Sequence, residues 1–337
     1  MKHKKDAKRA SIGIDIGGTK SLYALFDNNF EVLAEEKLPT HPDKGGVKAF
    51  TATLGNTVRK LVHVADKRGL KVKYLGVGCA GDIDLTQGVI RSSPNLSFLD
   101  SYPMRDKLQR FTGARIFVGH DVQAAVYGEL VRGVARKARH VIGVWIGTGV
   151  GGALVLDRKL FLGVSGRAGD LGNYLLHAVD VSQELPRKEV LDNVASRTAI
   201  AGDAAALAAS HRAPRLQRTA GTEVRNMGAN VLADSIRQGD KAVEKLLRSR
   251  ASVIGVALSN LVDFLNPDMI VLGGGLVEAM PGLLRRQIQK AIDAHSAPNS
   301  AKAVRIRIAK LLPHAGTVGA ACLARDMFSD DPPIDLS

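Results

Sequence analysis

A seventeen-residue pattern occurs twice in the chain. SIGIDIGGTKSLYALFD (residues 11–27) and VIGVWIGTGVGGALVLD (residues 141–157) align without a gap, with Ile12/Ile142, Gly13/Gly143, Ile16/Ile146, Gly17/Gly147 and Asp27/Asp157 identical. Each copy reads as strand, glycine turn, strand. A chance match between two apolar hairpins would give the same pattern. The flanking order of strands and helices also recurs, which favours a duplicated domain. Such a chain is expected to fold as two related domains, each offering a glycine turn, that face each other across a cleft.

Apolar runs and alternation predict strands over 11–16, 22–26, 32–38, 75–78, 115–118, 140–146, 152–156, 269–272 and 304–308. Helical spacing is clearest over 47–67, 122–132, 240–265, 283–294 and 317–325. Strands alternating with helices indicate an α/β architecture. The 337 residues, 45% of them hydrophobic, suffice for two domains with real cores. The expected division is a smaller N-terminal domain over 1–120 and a larger one over 121–316, with a C-terminal helix at about 317–330 rejoining the first.

No apolar run reaches the roughly 20 residues of a membrane span. The basic start MKHKKDAKR leads into a strand rather than an apolar signal core. The two cysteines, Cys79 and Cys322, lack Cys-x-x-Cys spacing and support neither a disulfide framework nor a cysteine zinc site. The expected location is the cytoplasm. The net charge of +14 reads as a solvated surface with a basic tail, or as attraction to a polyanion. Aromatic residues make up only 4% and are not interleaved with basic ones, so no specific nucleic-acid partner is expected.

Glycine lets a backbone turn tightly and lets an anion approach its amide groups. Neither repeated turn is a Walker loop, and neither opens a helix as a dinucleotide fingerprint does. A tight β-turn would explain either copy alone. Two related turns carrying Gly17, Gly18, Thr19 and Lys20 in one, and Gly147, Thr148 and Gly149 in the other, suit phosphate oxygens better. Asp15, at the end of the first strand, suits Mg²⁺ directly or through water. A third run, PDMIVLGGGL (267–276), places Gly273, Gly274 and Gly275 after a buried strand. They would let a flat group such as adenine pack on the backbone, although strand-to-helix punctuation explains them equally well. Asp121 follows a predicted strand and precedes a helix, where a plain N-cap would account for it.

In chain order, DIGGTK, GCAGDID…GVIRSSPNL, GHDVQAAVYGE, GTGVGG, AGDLGN, ASRTAIAG, NPDMIVLGGG and AGTVGAA resemble the motif set of the ROK family (repressors, open reading frames and sugar kinases). The resemblance spans about residues 12–323. It implies a two-domain actin-like ATPase (ribonuclease H-like) fold with an interdomain cleft. The implied activity is that of a glucokinase-type phosphotransferase using ATP and Mg²⁺. Glucose to glucose 6-phosphate is the first reaction it suggests, with another hexose or an amino-sugar as alternatives, and a homodimer or homotetramer is the family expectation. Repressor members carry a helix-turn-helix before the first phosphate motif. Only ten residues precede Ser11, so the kinase branch is expected.

The resemblance makes Asp121 the catalytic base, with His120 where the family usually has asparagine. Gly81 and Asn95 match further sugar contacts, and turn chemistry is the alternative for both. The family's Glu-x-Gly-His becomes Asp170 and Asn173, and Asp192 takes the place of a further sugar-binding glutamate. The family's cysteine-rich zinc loop is replaced by YLLHAVDVSQELPRKEVLD. His177 and His211 are too few to rebuild the site, so no structural zinc is expected. These changes alter the reach of the sugar-binding side chains and leave two alternatives open: a polyphosphate-dependent glucokinase, and a non-catalytic sugar- or nucleotide-binding sensor of the same fold.

Overall fold

The computed structural model describes residues 9–41, 45–178, 188–330 and 332–334. The chain forms two compact units: Met1–Lys137, Arg158–Ala168 and Pro313–Ser337 in the first, and Ala138–Asp157 and Gly169–Leu312 in the second.

The first unit contains strands β1 (Arg9–Ile16), β2 (Lys20–Phe26), β3 (Val32–Pro39), β4 (Lys71–Cys79), β5 (Asp82–Asp84), β6 (Val89–Ser92) and β7 (Arg115–His120). Its main sheet has the order β3-β2-β1-β4-β7. The hairpin strands β1, β2 and β3 are antiparallel, while β4 runs parallel to both β1 and β7. Helix α1 (Gly46–Lys67) buries Phe50, Leu54, Val58 and Leu61, at i, i+4, i+8 and i+11, which is the apolar stripe its sequence predicts. Helix α2 (Met104–Gln109) is short, and α3 (Asp121–Val131) is buried all round from Val122 to Leu130.

The helix Ala315–Asp326 lies directly on this sheet. A Cβ on Gly13 of β1 would come within 1.9 Å of the Thr317 carbonyl oxygen, and one on Gly76 of β4 within 1.8 Å of that of Ala320. On its other flank, a Cβ on Gly319 would lie 1.7 Å from the Ala124 carbonyl oxygen of α3. The small residues of AGTVGAA therefore serve backbone-to-backbone packing, which no side chain could share. This packing also holds α3 in the first unit, which extends to Lys137 rather than ending at the expected 120.

The second unit repeats the plan. Strands β8 (Val141–Ile146) and β9 (Val150–Leu156) form an antiparallel hairpin. The strands Met269–Gly273 and Arg305–Ile308 then continue the sheet in parallel from β8. The core beneath them comes from the helices Arg197–Ala209, Lys241–Leu265 and Pro281–His295. The first of these, RTAIAGDAAALAA, was not anticipated: alanine on every face leaves it without the polar contrast that marks a helix. The repeat departs from its gapless alignment at the turn. Ile16 pairs with Ser21 across a four-residue loop, whereas Ile146 pairs with Val150 across three residues. No helix among the described residues is long and apolar enough to cross a membrane.

Candidate active site

The turn after β1 is held by its carbonyl groups. Thr40 Oγ1 donates to the Gly17 carbonyl at 2.7 Å, and the Thr40 N–H donates to that of Thr19 at 3.0 Å. Ser21 shares a buried hydroxyl contact with Thr40 at 2.8 Å. A trans peptide is planar, so anchoring these two carbonyls turns the following N–H groups, those of Gly18 and Lys20, in the opposite direction. Thr19 and the Lys20 side chain are exposed beside them. That combination of amides, hydroxyl and ammonium can bind an anion.

Asp15 stands at the other end of this turn. Its carboxylate lies against Gly316 at the start of the helix Ala315–Asp326, where a Cβ would be 2.3 Å from Oδ2. Burial pushes the Asp15 carboxyl up to about 7, and the negative charge of Asp121 adds to the shift. Asp121 approaches through a second glycine: Asp15 pairs with Gly78 in the sheet, and a Cβ on Gly78 would be 3.1 Å from the Asp121 Cα.

Asp121 is the first residue of α3, one position after the N-cap His120, and its side chain bonds within the first turn. Its Oδ1 accepts the Val122 N–H at 2.7 Å. His120 Nδ1 lies 3.1 Å from the same oxygen without the alignment of a hydrogen bond. Oδ2 has no protein partner among the described residues. The two carboxylates thus stand at the same end of the sheet, near enough for the charge of Asp121 to act on Asp15, and among the described residues Asp15 has no cationic side chain paired with it. This fits Mg²⁺, which usually takes one or two protein carboxylates and completes its shell with phosphate oxygens and water. Among the described residues no group of three or more His, Cys, Asp or Glu could hold a metal by itself.

In the second unit, the turn after β8 is also held by its carbonyls. The Arg197 N–H donates to the Gly147 carbonyl at 3.0 Å, and Thr198 Oγ1 donates to that of Thr148 at 2.8 Å. Asp192 Oδ1 accepts the Val150 N–H at 2.6 Å, and a Cβ on Gly149 would be 2.8 Å from the same oxygen. Asp192, expected from the resemblance to bind a sugar, is therefore bonded into the second glycine turn. It also borders Gly172, in the loop that carries the other two sugar candidates. Those two bind each other: Asn173 Nδ2 donates to Asp170 Oδ2 at 2.8 Å.

The third glycine run has two different causes. Gly273 faces the indole of Trp145, since a Cβ there would be 2.5 Å from the ring; the flat group on its backbone is the protein's own. Gly274 has φ +89° and abuts the Ile146 backbone, while nothing lies within 4 Å of a Cβ on Gly275. Of the sugar candidates in the first unit, Gly81 has φ +127° and packs against the Ser92 carbonyl, so turn geometry alone requires it. Asn95 is exposed and borders Gly18, while its carbonyl oxygen is 3.2 Å from His41 Nε2. Residues 179–187, the middle of the segment expected in place of the zinc loop, lie outside the described residues, as does the side chain of His177. His211 Nδ1 is 3.0 Å from Gln217 Oε1.

Thr40, Arg197, Thr198 and Gly316 were not singled out as site residues. Thr40 carries no local signal, since its contact spans 23 residues. The other three fall inside the quoted motifs ASRTAIAG and AGTVGAA.

The profile of the ROK family matches residues 11–327, and this chain belongs to the ROK family. It is 28% identical to a glucokinase of Halalkalibacterium halodurans over 318 residues, 93% of this chain and 94% of the relative. It is 29% identical to an N-acetylgalactosamine kinase of a Shewanella species over 268 residues, 79% of this chain and 82% of the relative. The crystal structure of a ROK family glucokinase from Streptomyces griseus, in complex with glucose and AMPPNP, matches with a TM-score of 0.76. The identity is 26%, covering 94% of this chain and 99% of that one. The fold is the two-domain actin-like ATPase fold.

Proposed function

We propose that the protein is an ATP-dependent sugar kinase that phosphorylates a hydroxyl of a hexose or amino-sugar, with the 6-hydroxyl of glucose the first candidate. The observation that carries this reading is that Asp15 and Asp121 stand at the same end of one sheet, on either side of β4, with the charge of Asp121 felt by Asp15 and, among the described residues, Asp121 Oδ2 unbonded. Asp121 takes the proton of the sugar hydroxyl while the hydroxyl oxygen attacks the γ-phosphorus. The bond to the bridging oxygen of ADP breaks, giving sugar phosphate and ADP. Mg²⁺, held through Asp15, would neutralise charge on the phosphate chain. The amides, Thr19 and Lys20 of the first turn, and Thr148 and Gly149 of the second, bind phosphate oxygens. Gly275 leaves backbone open for the nucleoside. Asn95, His120, Asp170 and Asn173 are the groups proposed to read the sugar, and Asp192 is proposed to support the second turn through the Val150 N–H.

The relatives include kinases named for glucose and for an N-acetylated amino-sugar, so the acceptor class is broader than glucose. Because Asn173 engages Asp170, one carboxylate of the sugar set is partly occupied within the protein. A coupled assay for ADP over a panel of hexoses and N-acetylated hexosamines tests the proposal, with phosphate release from polyphosphate assayed in parallel. Sugar-dependent ADP formation is the expected result. Sugar binding by calorimetry without turnover on any member of the panel would contradict it and support a sensor.

A further inference from the structure

Arg197 belongs to none of the roles above, and it carries a guanidinium to the second glycine turn. Its backbone N–H holds the Gly147 carbonyl, while its guanidinium folds back so that Nη2 donates to Thr148 Oγ1 at 3.1 Å. Among the described residues it forms no ion pair with a carboxylate. The acid bonded to the turn, Asp192, has its Oδ1 on the Val150 N–H. One guanidinium has five N–H donors in a fixed fork, and among the described residues one of them is used. The carbonyls of Gly147 and Thr148 are both anchored, so peptide planarity sends the N–H groups of Thr148 and Gly149 the other way. The turn thus gathers two directed amides, one exposed hydroxyl and one guanidinium with donors to spare, while the carboxylate bonded to it, Asp192, holds the Val150 N–H.

We infer that Arg197 is a further phosphate-contact residue, whose guanidinium reads an oxygen of the donor's phosphate chain beside Thr148. The inference rests on the kinase reading of the site. A structural staple would need only the hydrogen bond to Thr148, which a neutral donor can also make. Anion binding needs the charge. A delocalised, always protonated fork suits phosphate better than any neutral amide.

Calorimetric titration of the intact protein with ATP and with adenosine separates these roles. Wild type is compared with Arg197→Ala, Arg197→Gln and Arg197→Lys, and thermal melting confirms that each variant is folded. Loss of a charge-assisted contact is expected to weaken ATP binding roughly 10- to 100-fold in both the Ala and Gln variants. Adenosine affinity is expected to be unchanged, and Lys to recover part of the loss. ATP affinity equal to wild type in the Ala variant would overturn the inference. So would recovery by Gln, or an equal loss for adenosine and ATP, because each reports a staple rather than an anion contact. If Ala fails to fold, the Gln and Lys pair decides by the same criterion. Should wild type itself bind no ATP, the kinase reading falls first; normal wild-type binding with unaffected variants removes Arg197 alone.

Discussion

In the turn after β1, one residue, Thr40, anchors the carbonyls of Gly17 and Thr19. In the turn after β8, Arg197 and Thr198 anchor those of Gly147 and Thr148. Both arrangements use the same physics: carbonyls tied down on one side leave amides directed to the other. The two hairpins part at the next-to-last residue of the leading strand. Asp15 fits against Gly316, and Trp145 fits against Gly273. Each side chain occupies space that a glycine leaves free. The duplicated scaffold therefore supplies two turns of like build, and only the first has a carboxylate within its leading strand.

The sharpest way to break this comparison is to remove that carboxylate. Asp15→Asn keeps the shape but cannot hold Mg²⁺ with a full charge, and kcat is expected to fall by roughly a thousandfold. A steady-state assay at saturating Mg²⁺ and ATP checks this, and turnover within a few-fold of wild type would make the hairpins equivalent. A smaller effect is expected at the second turn. Asp192→Ala removes the acceptor of the Val150 N–H, and the KM for ATP should rise about tenfold, as for other hydrogen bonds to a charged group. A rise in the sugar KM alone would return Asp192 to the sugar set.

The third test is pH dependence of stability. An aspartate in an unfolded chain ionises near pH ~3.9, whereas Asp15 in the folded protein ionises at about 7. Between those values the folded state holds more protons than the unfolded one. The contribution of this group therefore falls as pH rises through the window and is lowest above it. In metal-free protein the Tm of Asp15→Asn, relative to wild type, should climb from pH 4 to pH 7. A pH-independent difference would mean that Asp15 is solvated and unstrained. The smallest effect is expected for Trp145→Phe, which keeps an aromatic ring near Gly273 and should change kcat less than about threefold.

Much of the fold was legible because its signals are local. The repeat, the nine predicted strands and the helix over 47–67 all rest on apolar periodicity, and each has its counterpart in the structure. The helix Arg197–Ala209 was not legible, since alanine-rich burial erases the polar face. The turns and Asp15 could be picked out from glycine spacing and an acid at a strand end. What holds them could not. Thr40 meets Gly17 across 23 residues, and Gly316 meets Asp15 across almost the whole chain; only the assembled backbone brings such pairs together. The partnership of Asp192 with Val150 was missed for a related reason. A carboxylate in a motif shows that an acceptor is needed, and which donor it meets depends on placement to within an ångström.

The most direct test of the account is turnover by Asp121→Asn, with sugar binding measured on the same preparation. The amide keeps the size of the side chain and removes the proton acceptor. A fall in kcat of roughly a hundred- to ten-thousandfold, with sugar affinity retained, is the predicted result. Undiminished turnover would remove Asp121 from the mechanism, and with it the reading of the paired carboxylates as the centre of a sugar kinase.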